Sequence, residues 1–191
     1  PPPPPVGQGV GRRRGDPAGV VQAIRALGAM GDAAASPVLT RIVADGEATQ
    51  ALRIEAMAAL GAVATADNVD LMLDLMTDTS PAIRGAAMRA LARLDALTFL
   101  ATLSGLDTDK DWTVRTSQAA ALASLPDGQG VARLTLLLGD KDPRVVPAVL
   151  AGLVTAKVPG VDRIHPYRLK VDNFRLRSPR ATRPRALRLT P

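Results

Sequence analysis

The sequence repeats itself at a short and nearly constant interval, and this periodicity limits the possible folds more than any other feature. In each unit an alanine-rich run ends at an anchor leucine; the five anchors are Leu27, Leu60, Leu91, Leu122 and Leu153. The interval between successive anchors is identical from Leu60 onward and slightly longer between the first two. Tandem units of this size are typical of solenoids, in which each unit packs only against its neighbours.

Each unit carries the signals of two helices. Eleven positions before each anchor lies a residue type that caps helix N-termini, namely Asp16, Thr49, Ser80, Asp111 and Asp142. Apolar residues then recur at helical spacing, which predicts one amphipathic first helix per unit. A second apolar stripe, centred on Leu39, Met72, Leu103 and Leu134, predicts a second helix. Each unit is therefore expected to be a helical hairpin.

These signals predict an all-α fold, a right-handed α-solenoid of about four to five stacked hairpins over residues 16–158. Hydrophobic residues make up 47 % of the chain but aromatic residues only 2 %, so the predicted core is aliphatic and rich in alanine. No stretch of about 18 apolar residues is present, so no membrane span is expected.

The two ends differ in composition from the repeats. Residues 1–15 form a Pro/Gly/Arg leader that is expected to be disordered, and a chain beginning with Pro1 is expected to be processed, trimmed or a fragment. Residues 159–191 contain nine Lys or Arg residues and two Asp residues. This tail is interpreted as a degenerate last repeat, a disordered basic segment or the product of an altered reading frame. The net charge of +6 arises from these ends.

An Asp/Arg pattern keeps the register of the repeat. Aspartates follow the predicted second helices and arginines lie in the following first helices; the row consists of Asp45, Arg53, Asp78, Arg84, Asp109, Arg115 and Asp140. The last two pairs have the spacing Asp-x5-Arg, which predicts a structural ladder of hydrogen bonds between repeats. Asp140 is expected to lack an arginine partner, because Val146 occupies the corresponding position.

The segments SPAIRGAAMRALARL, DWTVRTSQAAALASL and ALRIEAMAALGAV resemble HEAT repeats, specifically the short bacterial HEAT-like type found in phycobilin lyases. The resemblance covers about residues 16–158. It implies stacked helical hairpins, and it implies a scaffold or interaction surface in most proteins of this type, although a few are enzymes. Similar arrays also occur in chains that carry a prolyl-isomerase or protease domain.

No motif for catalysis, cofactor binding or metal binding accompanies the repeats. The chain has no cysteine and a single histidine, His165, so thiolate chemistry and histidine-based metal clusters are excluded. The predicted function is a non-catalytic scaffold that binds a protein or peptide on a concave face lined by second helices. The candidate residues of this face are Arg41, Asp70, Asp74 and Arg133.

Two other functions are left open. The basic tail could bind nucleic acid or another acidic surface. The body of the chain is mildly acidic, which disfavours nucleic acid as the partner. Alternatively, the chain could be an accessory segment of a larger enzyme such as a prolyl isomerase, which rests on the resemblance alone.

Overall fold

The computed structural model describes residues 17–63, 65–159 and 161, and within these ranges the chain is helical and contains no β-strand. The predicted leader lies outside the described residues, as does nearly all of the predicted tail. Nine α-helices are described: α1 Pro17–Met30, α2 Ser36–Ala44, α3 Gln50–Val63, α4 Val69–Leu75, α5 Pro81–Leu94, α6 Ala96–Gly105, α7 Trp112–Ala123, α8 Val131–Leu136 and α9 Val146–Thr155.

The first helices of the hairpins stack on one another along the array. Helix α1 packs on α3, α3 on α5, α5 on α7, and α7 on α9. The second helices lie against these first helices, with α2 on α3, α4 on α5, α6 on α5, and α8 between α7 and α9. The described chain thus consists of four stacked hairpins followed by one further first helix, which confirms the predicted all-α, solenoid-like fold.

The repeated apolar positions form one continuous core. Four of the anchor leucines, Leu60, Leu91, Leu122 and Leu153, are buried, while Leu27 in the first hairpin is half-buried. The predicted second-helix positions Leu39, Met72, Leu103 and Leu134 are buried as well. Val161, three positions beyond the predicted end of the array, belongs to the same core.

Small residues allow the first helices to approach one another closely. A Cβ atom added at Gly28 of α1 would lie 2.9 Å from the Cα and Cβ atoms of Ala59 in α3. At Gly61 of α3, an added Cβ would lie 3.2 Å from the Cα of Ala90 in α5. The alanine-rich composition of these helices therefore sets the spacing of the stack.

The predicted caps act at three of the first helices. The side-chain oxygens of Thr49, Ser80 and Asp111 accept hydrogen bonds from backbone amides in the first turns of α3, α5 and α7. Asp142 differs, because α9 begins at Val146 and not directly after Asp142. Pro147 lacks the N–H that would bond to the carbonyl of residue 143, so the regular helix starts where Pro147 falls in its first turn.

Candidate functional site

The arginine side chains of the ladder connect two successive inter-repeat turns. Arg84 donates from Nε and Nη2 to the Asp109 carboxylate at 2.7 and 3.0 Å, and from Nη1 to the carbonyl of Asp78 at 2.8 Å. Arg115 does the same one repeat later, with the Asp140 carboxylate at 2.7 and 3.0 Å and the carbonyl of Asp109 at 2.8 Å. Each guanidinium thus joins the backbone of the turn that precedes its hairpin to the carboxylate of the turn that follows its hairpin.

This geometry corrects the predicted pairing. The carboxylate partner of each arginine is the aspartate 25 residues later, whereas the aspartate six residues earlier contributes its backbone carbonyl. The expectation that Asp140 lacks an arginine is wrong, because Arg115 binds it with two hydrogen bonds.

The first arginine of the row does not complete the pattern. Arg53 donates from Nε to the carbonyl of Val43 at 2.9 Å, and no ion pair joins Arg53 to Asp78 within the described chain. The four aspartates nevertheless share one local role. The side chains of Asp45, Asp78, Asp109 and Asp140 each accept a hydrogen bond from the backbone amide two residues later, which stabilises the turn between hairpins.

Burial of the ladder increases along the array. The side chains of Arg84 and Asp109 are 16 % and 14 % exposed, and those of Arg115 and Asp140 only 1 % and 3 %. The hydrogen bonds from Asp109 and Asp140 raise the pKa values of Arg84 and Arg115 above their ordinary value. Burial acts to raise the pKa of Asp109, but hydrogen bonds from Arg84 and from the amide of Asp111 lower it on balance. Arg84, Arg115 and Asp109 are therefore charged at neutral pH.

The structure places the predicted partner-binding residues on the second helices, but in different surroundings. Arg41 on α2 and Asp70 and Asp74 on α4 are exposed. Arg133 on α8 is half-buried, and its Nη2 hydrogen-bonds to Ser104 Oγ on α6. Arg133 therefore links two neighbouring second helices as well as contributing to the surface.

A polar cluster that the sequence did not indicate lies between the first two hairpins. Asn68 is buried; its amide donates to Ser36 Oγ at 2.9 Å and to Thr65 Oγ1 at 2.8 Å, and its carbonyl accepts from Thr40 Oγ1 at 2.6 Å. Every buried side-chain polar atom in the described residues has a partner, so this cluster is a satisfied network and not an open site.

An open cleft of about 560 Å³ lies at the turn edge of the last two repeats. This turn-edge cleft is lined by Lys110, Arg115, Lys141, Asp142, Pro143 and Arg144. Arg144 donates to the Asp142 carboxylate at 2.7 and 3.0 Å, and its guanidinium carbon lies 4.4 Å from the centre of the Trp112 ring. These hydrogen bonds lower the pKa of Asp142 to about 2.

This cleft was not predicted from the sequence, because it forms only where two consecutive inter-repeat turns lie side by side. One available signal was the placement of lysine at residues 110 and 141, which are equivalent positions of consecutive repeats.

No group of three or more His, Cys, Asp or Glu side chains in the described residues could hold a metal ion. None of the described helices combines the length and the apolar composition of a membrane span.

Comparison with known families agrees with this architecture. The family model for HEAT repeats matches residues 46–123, which span helices α3 to α7. No curated protein matches the chain. The stacked hairpins from α3 to α7, which this match covers, are thus HEAT repeats, and the narrower resemblance to the phycobilin-lyase type stays a prediction.

Proposed function

We propose that this HEAT-repeat protein is a non-catalytic scaffold that binds a protein or peptide partner along the surface formed by its second helices. HEAT repeats generally serve as protein-interaction scaffolds. Stacked repeats also present long surfaces on which a partner can contact several units at once. The proposal assigns this role to helices α2, α4, α6 and α8.

One observation carries the proposal: the second helices expose charged and apolar side chains together. Arg41 and Asp74 occupy equivalent positions, two residues after the buried Leu39 and Met72, and both are exposed. Val38 and Leu136 are 51 % and 78 % exposed on α2 and α8. A mixed surface of opposite charges and large apolar groups is suited to a protein partner, whereas a phosphate backbone would favour cations alone.

The test is affinity capture with the full chain from extracts of its source cells, followed by identification of the captured proteins. The double variant Arg41→Glu/Asp74→Lys should lose the specific partner, because it reverses both charges without touching the core. Ala58 and Ala120 are exposed on the first helices α3 and α7, so Ala58→Glu/Ala120→Glu is the matched control and should keep the partner. Equal capture by the wild type and both variants would contradict the proposed surface.

The basic tail supports a second candidate function, the binding of nucleic acid or another acidic surface. Its nine Lys and Arg residues could neutralise phosphates without reading the base sequence. The test compares the full chain with a full-length variant in which the tail arginines are glutamine. Salt-sensitive binding of single-stranded DNA that disappears in this variant would support the candidate, and binding that persists would refute it.

A further inference from the structure

We propose that the turn-edge cleft is a binding site for an acidic peptide segment, one whose aspartate or glutamate carboxylates contact Lys110 and Lys141. This site is separate from the second-helix surface, and its occupation does not depend on the partner of that surface. The cleft carries unpaired positive charge, and the two lysines that supply this charge lie one repeat apart.

The cleft carries uncompensated positive charge. Four of the six lining residues are cationic and one is anionic. Arg115 is neutralised by Asp140, and Arg144 is neutralised by Asp142. The ammonium groups of Lys110 and Lys141 have no ion-pair or hydrogen-bond partner among the described residues. Two unpaired cations that line one cleft favour the binding of an anionic segment there.

The spacing of the two lysines suits an extended peptide. Lys110 and Lys141 are one repeat apart and occupy the same position in consecutive turns, directly before Asp111 and Asp142. Packed helices are about 8–10 Å apart, so equivalent positions of neighbouring repeats are separated by a similar distance. In an extended polyproline II segment, residues i and i+3 lie on the same side about 9 Å apart. Carboxylates three residues apart would therefore match the two lysines.

The cleft suits a short acidic peptide better than a nucleic acid. Of the cations that line it, only Lys110 and Lys141 are unpaired among the described residues, which matches two carboxylates but is too few for a continuous phosphate backbone. Trp112 is the only tryptophan of the chain, and Arg144 lies over its ring, so the ring offers no free stacking platform for bases. Arg144 is already held by the Trp112 ring and the Asp142 carboxylate, so the contacts to a short acidic segment come from the two lysines.

The experiment titrates the full-length protein with a synthetic peptide that repeats Glu-Pro-Pro, which favours the extended polyproline II conformation, using calorimetry for affinity and Trp112 fluorescence for location. A peptide with Gln in place of Glu is the ligand control. The basic tail also attracts acidic peptides, so the fluorescence of Trp112, beside the cleft, separates cleft binding from tail binding. Lys157 lies beyond the far end of α9, and Lys157→Gln is therefore the matched protein control.

The proposal predicts a saturable change in Trp112 fluorescence with the Glu peptide and none with the Gln peptide. Lys110→Gln/Lys141→Gln should weaken this binding about tenfold, because two exposed charge contacts are lost, while Lys157→Gln should leave it unchanged. Absence of a saturable fluorescence change, or equal affinity in the double variant, would overturn the proposal. Tighter binding of oligonucleotide than of the Glu peptide, with the same dependence on the two lysines, would overturn the assignment to an acidic peptide. None of these outcomes alters the capture test of the second-helix surface.

Discussion

The guanidinium of Arg115 lies against the carboxylate of Asp140, joined by two hydrogen bonds of 2.7 and 3.0 Å, and both side chains are almost completely buried. The residues belong to helix α7 and to the turn that precedes α9, so the pair connects the fourth hairpin to the last described helix. Removing one member of a buried pair leaves the other charge buried without compensation, which is costly.

The three ladder arginines should therefore differ in their contribution to stability. Arg115→Met should reduce the free energy of unfolding by about 3–5 kcal/mol, because the buried Asp140 loses its counter-charge. Arg84→Met should cost less, since its pair is partly solvated, and Arg53→Met should cost least, since Arg53 has no carboxylate partner among the described residues. Urea denaturation of the three variants measures this order. Equal losses would contradict the role of the carboxylate pairs.

Acid should destabilise the fold. Hydrogen bonds to Asp142, Asp111 and Asp109 lower their pKa values below the ordinary value of 3.8, and that of Asp142 falls to about 2. A carboxyl group whose pKa is lower in the folded state stabilises the fold above its unfolded pKa, and this contribution is lost as the pH falls towards the folded value. The free energy of unfolding should thus decrease between about pH 5 and pH 2.

Denaturant titrations at several pH values test this dependence, and Asp142→Asn is the informative variant. In this variant the free energy of unfolding should decrease less steeply at the acidic end of the range, because residue 142 no longer titrates. A free energy of unfolding that stays constant or rises on acidification would refute this prediction.

Gly130, which precedes α8, should not tolerate a side chain. A Cβ atom at this position would lie 2.0 Å from the carbonyl oxygen of Leu122, so Gly130→Ala forces the backbone of one helix away from the other. We expect a loss of about 3 kcal/mol in the free energy of unfolding. Gly105→Ala is the control, because nothing lies within 4 Å of its added Cβ, and it should be neutral or stabilise by about 0.5–1 kcal/mol. Similar melting temperatures for both variants would disprove the close contact.

The buried amide of Asn68 should be required for docking of the first two hairpins. Asn68→Leu would leave the hydroxyls of Ser36 and Thr65 without their amide donor, at a cost of about 1–3 kcal/mol. Thermal unfolding followed by circular dichroism gives the measurement. Replacement of an exposed polar residue elsewhere, as in Gln129→Leu, should change the melting temperature little. An unchanged melting temperature for Asn68→Leu would argue against the network.

The features of the fold that depend on local sequence were predictable. The anchors Leu60, Leu91, Leu122 and Leu153 are buried as expected, because helical periodicity alone determines which face of a helix is apolar. The start of α9 was not predicted, since the cap signal at Asp142 competes with Pro147, and the proline determines where the helix begins.

The contacts of the ladder were harder to infer, for a physical reason. Because the repeat is so regular, Asp78 and Asp109 each have one arginine of the row in the first helix after them and another in the first helix before them. Arg84, correspondingly, uses two aspartates, the carbonyl of Asp78 and the carboxylate of Asp109. Spacing alone does not show which atoms of the aspartate face the guanidinium. The turn-edge cleft was not predicted for a related reason, because it forms only when two turns are adjacent in space.

Position-specific photo-crosslinking to the captured partner tests the scaffold account most directly. A photoreactive side chain placed at Arg41 or Asp74 on the second helices should crosslink to the same partner protein. The same group at Ala58 or Ala120 on the first helices should give no such product. Crosslinks from the first helices, with none from the second helices, would contradict the account.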